Sequence, residues 1–148
     1  MKKLLPPALF LLSALIMGIV CWAFDFEHYI LFPYNLIGLL FLAAGLLLAQ
    51  MSKRLFLKMK TNVNTFEDPD KLVTSGFYRY SRNPMYLGFL ISIIGMAILY
   101  QGSVSSFVLA IIFFIAEDRW YVKFEEKAMS KKFGMAFEQY CSNTRRWL

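Results

Sequence analysis

Two groups of side chains in this chain are of types that do chemistry rather than fill an apolar core. The first lies in Leu72 to Gly88, where Tyr78, Arg79, Tyr80, Arg82, Asn83, Pro84 and Tyr86 are compressed between a Ser75-Gly76 turn signal and an apolar run that begins at Met85. The second is the carboxylate pair Glu125-Glu126, with Tyr140 further on. Guanidinium groups bind anions through charge-assisted forks, whereas carboxylates and aromatic faces attract cations. Brought together, the two groups would form a pocket for a zwitterionic or sulfonium-bearing ligand. Asn83-Pro84 also reads as a helix start, with Asn at the N-cap and Pro at the first helical position, so the helix N-terminus adds partial positive charge. Taken alone, the arginines are better accounted for by contact with lipid phosphates, the usual fate of basic residues beside membrane helices.

The elements that must position these residues are apolar helices. The chain has 148 residues, 58% of them hydrophobic, and a net charge of +6. Its mean hydropathy of +0.49 is too high for a soluble domain of this size and predicts an all-α integral membrane protein. The basic residues flank apolar runs rather than forming a soluble patch, so lipid headgroups, not nucleic acid, are the expected anionic partner. Cys21 and Cys141 are expected as free thiols, and a lone His28 without Cys/His spacing gives no metal site.

Leu4 to Phe24 has the ~20 residues that span a bilayer. Pro6 and Pro7 fit its first turn, and its length and the further membrane segments after it favour a span over a signal peptide. A polar break at Asp25, Glu27 and His28 precedes a second run, Leu36 to Met51, whose Gly38 and Gly45 suit close helix packing. Ser52 to Asn64 is a basic amphipathic continuation, punctuated by a turn at Asp68-Pro69-Asp70. Met85 to Tyr100 and the run from Val104 are joined by a tight reversal at Gln101-Gly102-Ser103. The last run passes through Glu117, Asp118 and Arg119 to Phe133 without Gly or Pro. Helical steps from Val122 place Glu126 on the apolar stripe with Met129, Phe133, Phe137 and Tyr140, beside a basic stripe of Arg119, Lys123, Lys127 and Lys131.

The expectation is one domain, 1–148, with four transmembrane helices in two hairpins and a cytoplasmic C-terminal helical segment. Residues 1–60 form the first hairpin with its basic continuation, and 72–148 carry the motifs. All 16 Lys and Arg fall at one end of the helices, and the loops 25–35 and 100–103 have none. Both termini are therefore expected in the cytoplasm, at a bacterial inner membrane. The second hairpin then brings Arg82 and Glu126 to one face.

The ordered residues resemble the isoprenylcysteine carboxyl methyltransferases and their small bacterial membrane relatives. Gly76, Tyr78, Arg82, Asn83, Pro84, Tyr86 and Gly88 follow the first pattern of that family, G-x-Y-x-x-x-R-H-P-x-Y-x-G. Glu125, Glu126, Met129, Phe133, Gly134, Phe137, Tyr140 and Arg145 or Arg146 follow the second. The resemblance implies S-adenosylmethionine as cofactor, held by Tyr78, Arg79, Tyr80, Arg82, Asn83, Pro84, Tyr86, Gly88, Glu125, Glu126 and Tyr140. It implies catalytic roles for Arg82, Asn83 and Glu126, and methyl transfer to a lipophilic or membrane-bound carboxylate, thiol or amine. Asn83 stands where the family has His; it keeps hydrogen bonding but takes up no proton near neutral pH, so its expected role is orientation. A non-catalytic membrane subunit of the same fold and a phospholipid N-methyltransferase are the alternatives. A sterol-type reductase resembles the C-terminal region but has many more helices. The acceptor and the oligomeric state stay open.

Overall fold

In a computed structural model of the chain, residues 5–24, 28–61 and 70–148 are described. Lys2 and Lys3, Asp25 and Glu27 of the first loop, and Asp68-Pro69 of the predicted turn lie outside them. The described residues form helices and no strands. In chain order these are α1 (Pro6–Ala23), α2 (Ile37–Lys58), α3 (Pro84–Leu99), α4 (Val104–Ala116), α5 (Lys123–Phe133) and α6 (Met135–Asn143). A π-helical turn, Glu117–Val122, joins α4 to α5, so one rod runs from Val104 to Phe133 as the unbroken sequence predicts.

The most extensive packing is between α2 and α3, and glycine makes it. Gly45 lies against Gly88 and Gly38 against Gly95; a Cβ at Gly45 or Gly38 would run into the facing carbonyl oxygen. The Ser92 hydroxyl donates to the Gly88 carbonyl at 2.9 Å and to the Leu42 carbonyl of α2 at 3.3 Å. Close backbone approach and such bonds hold the two helices together, the packing mode that small residues provide between membrane helices. Gly88, expected at the cofactor, lies in this helix seam.

The first predicted hairpin is not a packed pair. Because α3 occupies the glycine face of α2, α1 packs against α3 and α4 and barely touches α2. Phe10 and Met17 of α1 meet Ile93 and Ala97 of α3 and Ala110 and Phe113 of α4 in a buried cluster. Phe10 stacks on Phe89 with centroids 5.4 Å apart and meets Phe113 edge-on at 6.3 Å.

The predicted reversal at Gln101-Gly102-Ser103 forms as expected. Gly102 adopts φ 65° against Ile30, and the Ser103 hydroxyl caps α4 by accepting the Ser106 N–H at 3.3 Å. The Tyr29 and Ile30 N–H groups donate to the Gln101 carbonyl, so the two connections without basic residues meet at one end of the bundle. Outside, Leu11, Leu15, Leu40, Leu47, Ile111 and Ile112 are exposed. Pro6–Ala23 and Tyr34–Lys58 are long and apolar enough to cross a membrane, and α3 is a shorter apolar helix. That outward apolar surface on three helices suits lipid rather than water.

Candidate functional site

The site is built where the chain returns on itself at the end opposite those connections. Gly134, at φ 49°, ends α5 and turns the chain into α6. Residues after α6 then run alongside the segment before α3. The Tyr140 hydroxyl donates to the Tyr78 carbonyl at 2.6 Å, and the Arg82 N–H to the Arg145 carbonyl at 3.0 Å. The Ser81 hydroxyl and Asn83 Nδ2 both donate to the Arg146 carbonyl, at 3.3 and 3.1 Å. Two motifs far apart in sequence thus become one structural unit.

Arg82 is its centre. Its Nε and Nη2 donate to Glu126 Oε1 at 3.2 and 2.9 Å, and its Nη1 to the carbonyls of Cys141 and Thr144 at 3.2 and 3.0 Å. A guanidinium at the last carbonyls of α6 complements that end of the helix dipole as well as the carboxylate. Arg146 donates to both oxygens of Glu126, from Nε to Oε1 and from Nη2 to Oε2, and approaches Asp118 at 3.5 Å, while Trp147 Nε1 donates to Asp118 at 3.1 Å. Arg82 and Glu126 side chains are only 14% and 16% exposed, so this pairing is partly withdrawn from water and stronger than a surface ion pair. Beside it the Tyr86 hydroxyl donates to Glu125 at 2.6 Å.

Burial keeps the two tyrosine phenols here protonated at neutral pH. It pushes the Tyr140 phenol up to about 12 and the Tyr78 phenol well above the usual range. The hydrogen bond to Glu126 raises the Arg146 guanidinium further. Burial also raises the Cys141 thiol, which leaves less thiolate for nucleophilic work.

The structure brings Tyr78, Arg82, Asn83, Tyr86, Glu125, Glu126 and Tyr140 together. Asn83 occupies the N-cap position of α3, with Pro84 first in the helix, but its side chain makes no capping bond. The expected cap is replaced by the bond to the Arg146 carbonyl. Tyr80 is 73% exposed and stands away from the network. Arg79 is exposed and, among the described residues, its guanidinium has no partner; it lines a cleft of ≈ 450 Å³ with Thr74, Ala136, Gln139, Tyr140, Asn143 and Thr144. Sequence reading missed Ser81, Asp118 and Trp147, whose partners come from other elements and leave no local spacing to find.

The arrangement pairs an ion-paired frame with an adjacent open cleft that carries, among the described residues, the unpaired Arg79 guanidinium, amide side chains and a tyrosine. The family model for phospholipid methyltransferases matches residues 34–136, well over half of the chain. Two rice proteins, from Oryza sativa subsp. indica and Oryza sativa subsp. japonica, each named a probable protein-S-isoprenylcysteine O-methyltransferase, are 32% identical to it over 78 residues. The match takes in 51% of this chain and 39% of each relative, so the chain spans well under two thirds of their length. No solved structure matches. Family and relatives both point to methyl transfer at a membrane. On the extent of the family match, the chain belongs to the phospholipid methyltransferase family.

Proposed function

We propose that the protein transfers a methyl group from S-adenosylmethionine to a lipophilic or membrane-bound acceptor. The observation that carries this reading is the joining of the two motifs by Arg82 and Glu126 beside the Arg79 cleft. The cleft falls within the ~300–1,000 Å³ usual for small-molecule sites. Its side chains fit the cofactor: Arg79 would hold the carboxylate, Gln139 and Asn143 would bond its amino or hydroxyl groups, and Tyr140 offers an aromatic face. When bound, S-adenosylmethionine supplies an electrophilic methyl carbon on a sulfonium. The protein's own task is to orient and to exclude water. Arg82, Asn83, Glu125 and Glu126 serve it by holding the segment before α3 against α6, and Asn83 works as an orienting donor that carries no proton.

The membrane arrangement goes with this reading: α1, α2, α3 and the α4 rod are four spans, with the site and both termini in the cytoplasm. Lys and Arg near the site and their absence from residues 28–35 and 100–103 support that orientation. An acceptor dissolved in the bilayer then meets an aqueous cofactor at the interface. A non-catalytic subunit is the competing reading, favoured by Asn83 in place of a titratable His. Purified protein incubated with methyl-labelled S-adenosylmethionine and membrane lipid extract should yield labelled, solvent-extractable lipid. Cofactor binding without labelled product, across extracts and purified acceptors, would establish the non-catalytic subunit instead.

A further inference from the structure

The outer side of the α4–α5 rod changes character along its length. At steps of four, Ile111 and Ile115 give way to Arg119, Lys123, Lys127 and Lys131, all exposed. Beside them, exposed Ile112 is followed by exposed Trp120 and Phe124. Apolar side chains, then aromatic rings, then cations is the order in which a helix leaving a bilayer meets acyl chains, interface and headgroups. At the other end of the bundle Trp22, Tyr29 and Tyr34 are exposed as well, but residues 28–36 contain no Lys or Arg. Aromatic rings therefore border the apolar surface at both ends, and cations accompany them only at the end that carries the site.

Helix α5 carries this face without a buried apolar stripe beneath it. None of its residues is buried, and polar bonds tie it to the rest of the chain: Glu125 accepts from Tyr86, and Glu126 pairs with Arg82 and Arg146. Lys123, Lys127 and Lys131 form no salt bridge among the described residues. Like charges four residues apart destabilise a helix. Asp70 and Glu138 are the exposed acids among the described residues, and neither neutralises this face. An anionic surface laid against α5 would relieve the repulsion that the chain itself leaves standing.

We propose that the outer face of α5 is a docking surface for anionic phospholipid headgroups. The lysine ammonium groups meet acidic headgroups of the leaflet next to the site, and Trp120 and Phe124 sit at the boundary with the acyl chains. A soluble acidic partner would use the cations but not the two aromatic rings, which continue the lipid-facing surface of α4. That continuity selects lipid as the occupant. On α2 the cations form no such stripe: Lys53 and Arg54 are neighbours in sequence and point about 100° apart around the helix. The lipid shell beside the site is thereby enriched in acidic headgroups, and the shell at the far end is not. The inference concerns the surface alone and holds whatever chemistry the site performs.

The test reads lipid association and needs no turnover. The full chain is reconstituted in phosphatidylcholine vesicles with a trace of spin-labelled phosphatidylglycerol or of spin-labelled phosphatidylcholine, and the motionally restricted fraction of each label measures its association with the protein. At low salt wild type should favour the phosphatidylglycerol label about fivefold, what one cation near an acidic lipid surface contributes. At high salt, where the screening length falls to ~3 Å, the preference should drop toward parity. The combined changes Lys123→Gln, Lys127→Gln and Lys131→Gln should remove most of it, and Arg at the same positions should keep it. The same loss of charge on α2, by Lys53→Gln, Arg54→Gln and Lys58→Gln, should cost less. Hydrogen exchange of residues 123–133 should slow when phosphatidylglycerol replaces part of the phosphatidylcholine, in wild type and not in the α5 Gln form. Parity of the two labels in wild type, an unchanged preference in the α5 Gln form, equal losses from the α5 and α2 forms, or exchange in α5 that ignores phosphatidylglycerol would each overturn the inference. The wild-type comparison stands even if a variant fails to fold.

Discussion

Arg82→Ala should release the segment after α6 from the loop before α3 and lower methyl transfer by about tenfold or more. The guanidinium makes four hydrogen bonds, two to Glu126 and two to carbonyls at the end of α6, and no neighbouring neutral group can replace them. A hydrogen bond to a charged group contributes about 1.5 to 3 kcal/mol, and each ~1.4 kcal/mol is a factor of ten in rate. The loss acts through position: without Arg82 the wall formed by Tyr140, Asn143 and Thr144 is no longer fixed against Arg79. Arg82→Lys should recover little, because an ammonium cannot reproduce the planar fork that spans carboxylate and carbonyls. Hydrogen exchange of residues 139–147 in the variant reads the release directly. Wild-type protection together with wild-type transfer would refute the positioning role.

Glu126→Gln should have an effect of similar size, for the complementary reason. One carboxylate is shared by two guanidinium groups, Arg82 and Arg146, and the amide leaves Arg146 with Asp118 alone and Arg82, among the described residues, with no anionic partner in a partly buried setting. Truncating one partner of such an arrangement costs more than the bond alone, because the remaining charge is left uncompensated. Lys127→Gln, one residue on, lies on the exposed basic stripe and should leave cofactor affinity unchanged. Cofactor affinity measured side by side in the two variants decides the matter. Equal effects would remove Glu126 from the frame, and a double-mutant cycle with Arg82→Ala should show strong coupling between them.

These two residues also mark how far the sequence could be read. Periodicity put Glu126 on the stripe with Phe137 and Tyr140, and both aromatics are buried while Lys123, Lys127 and Lys131 are exposed. Composition identified Gly38 and Gly45 as packing residues, because only small side chains admit a helix so closely. What periodicity cannot supply is the identity of a partner on another element. Arg82 reads equally as a ligand clamp or as a structural fork, and only the fold places Glu126, Cys141 and Thr144 around it. Asn83 has the residue type and position of a cap, yet its side chain is turned to donate from Nδ2 to the Arg146 carbonyl and its oxygen makes no capping bond. The π-helical turn is a change in hydrogen-bond spacing with no residue signature, so the full burial of Glu117 was not visible either. The placement of α1 against α3 and α4 depended on which face of α2 the glycines had already claimed.

The central claim is that the segment before α3 and the chain from α5 onward form one cofactor site. Hydrogen exchange of the purified protein with and without S-adenosylmethionine tests it without any assumption about the acceptor. Saturable binding should slow exchange in both residues 74–83 and residues 135–144, and leave residues 28–36 at the far end of the bundle unchanged. Absence of saturable binding, or protection confined to one of the two segments, would contradict the account.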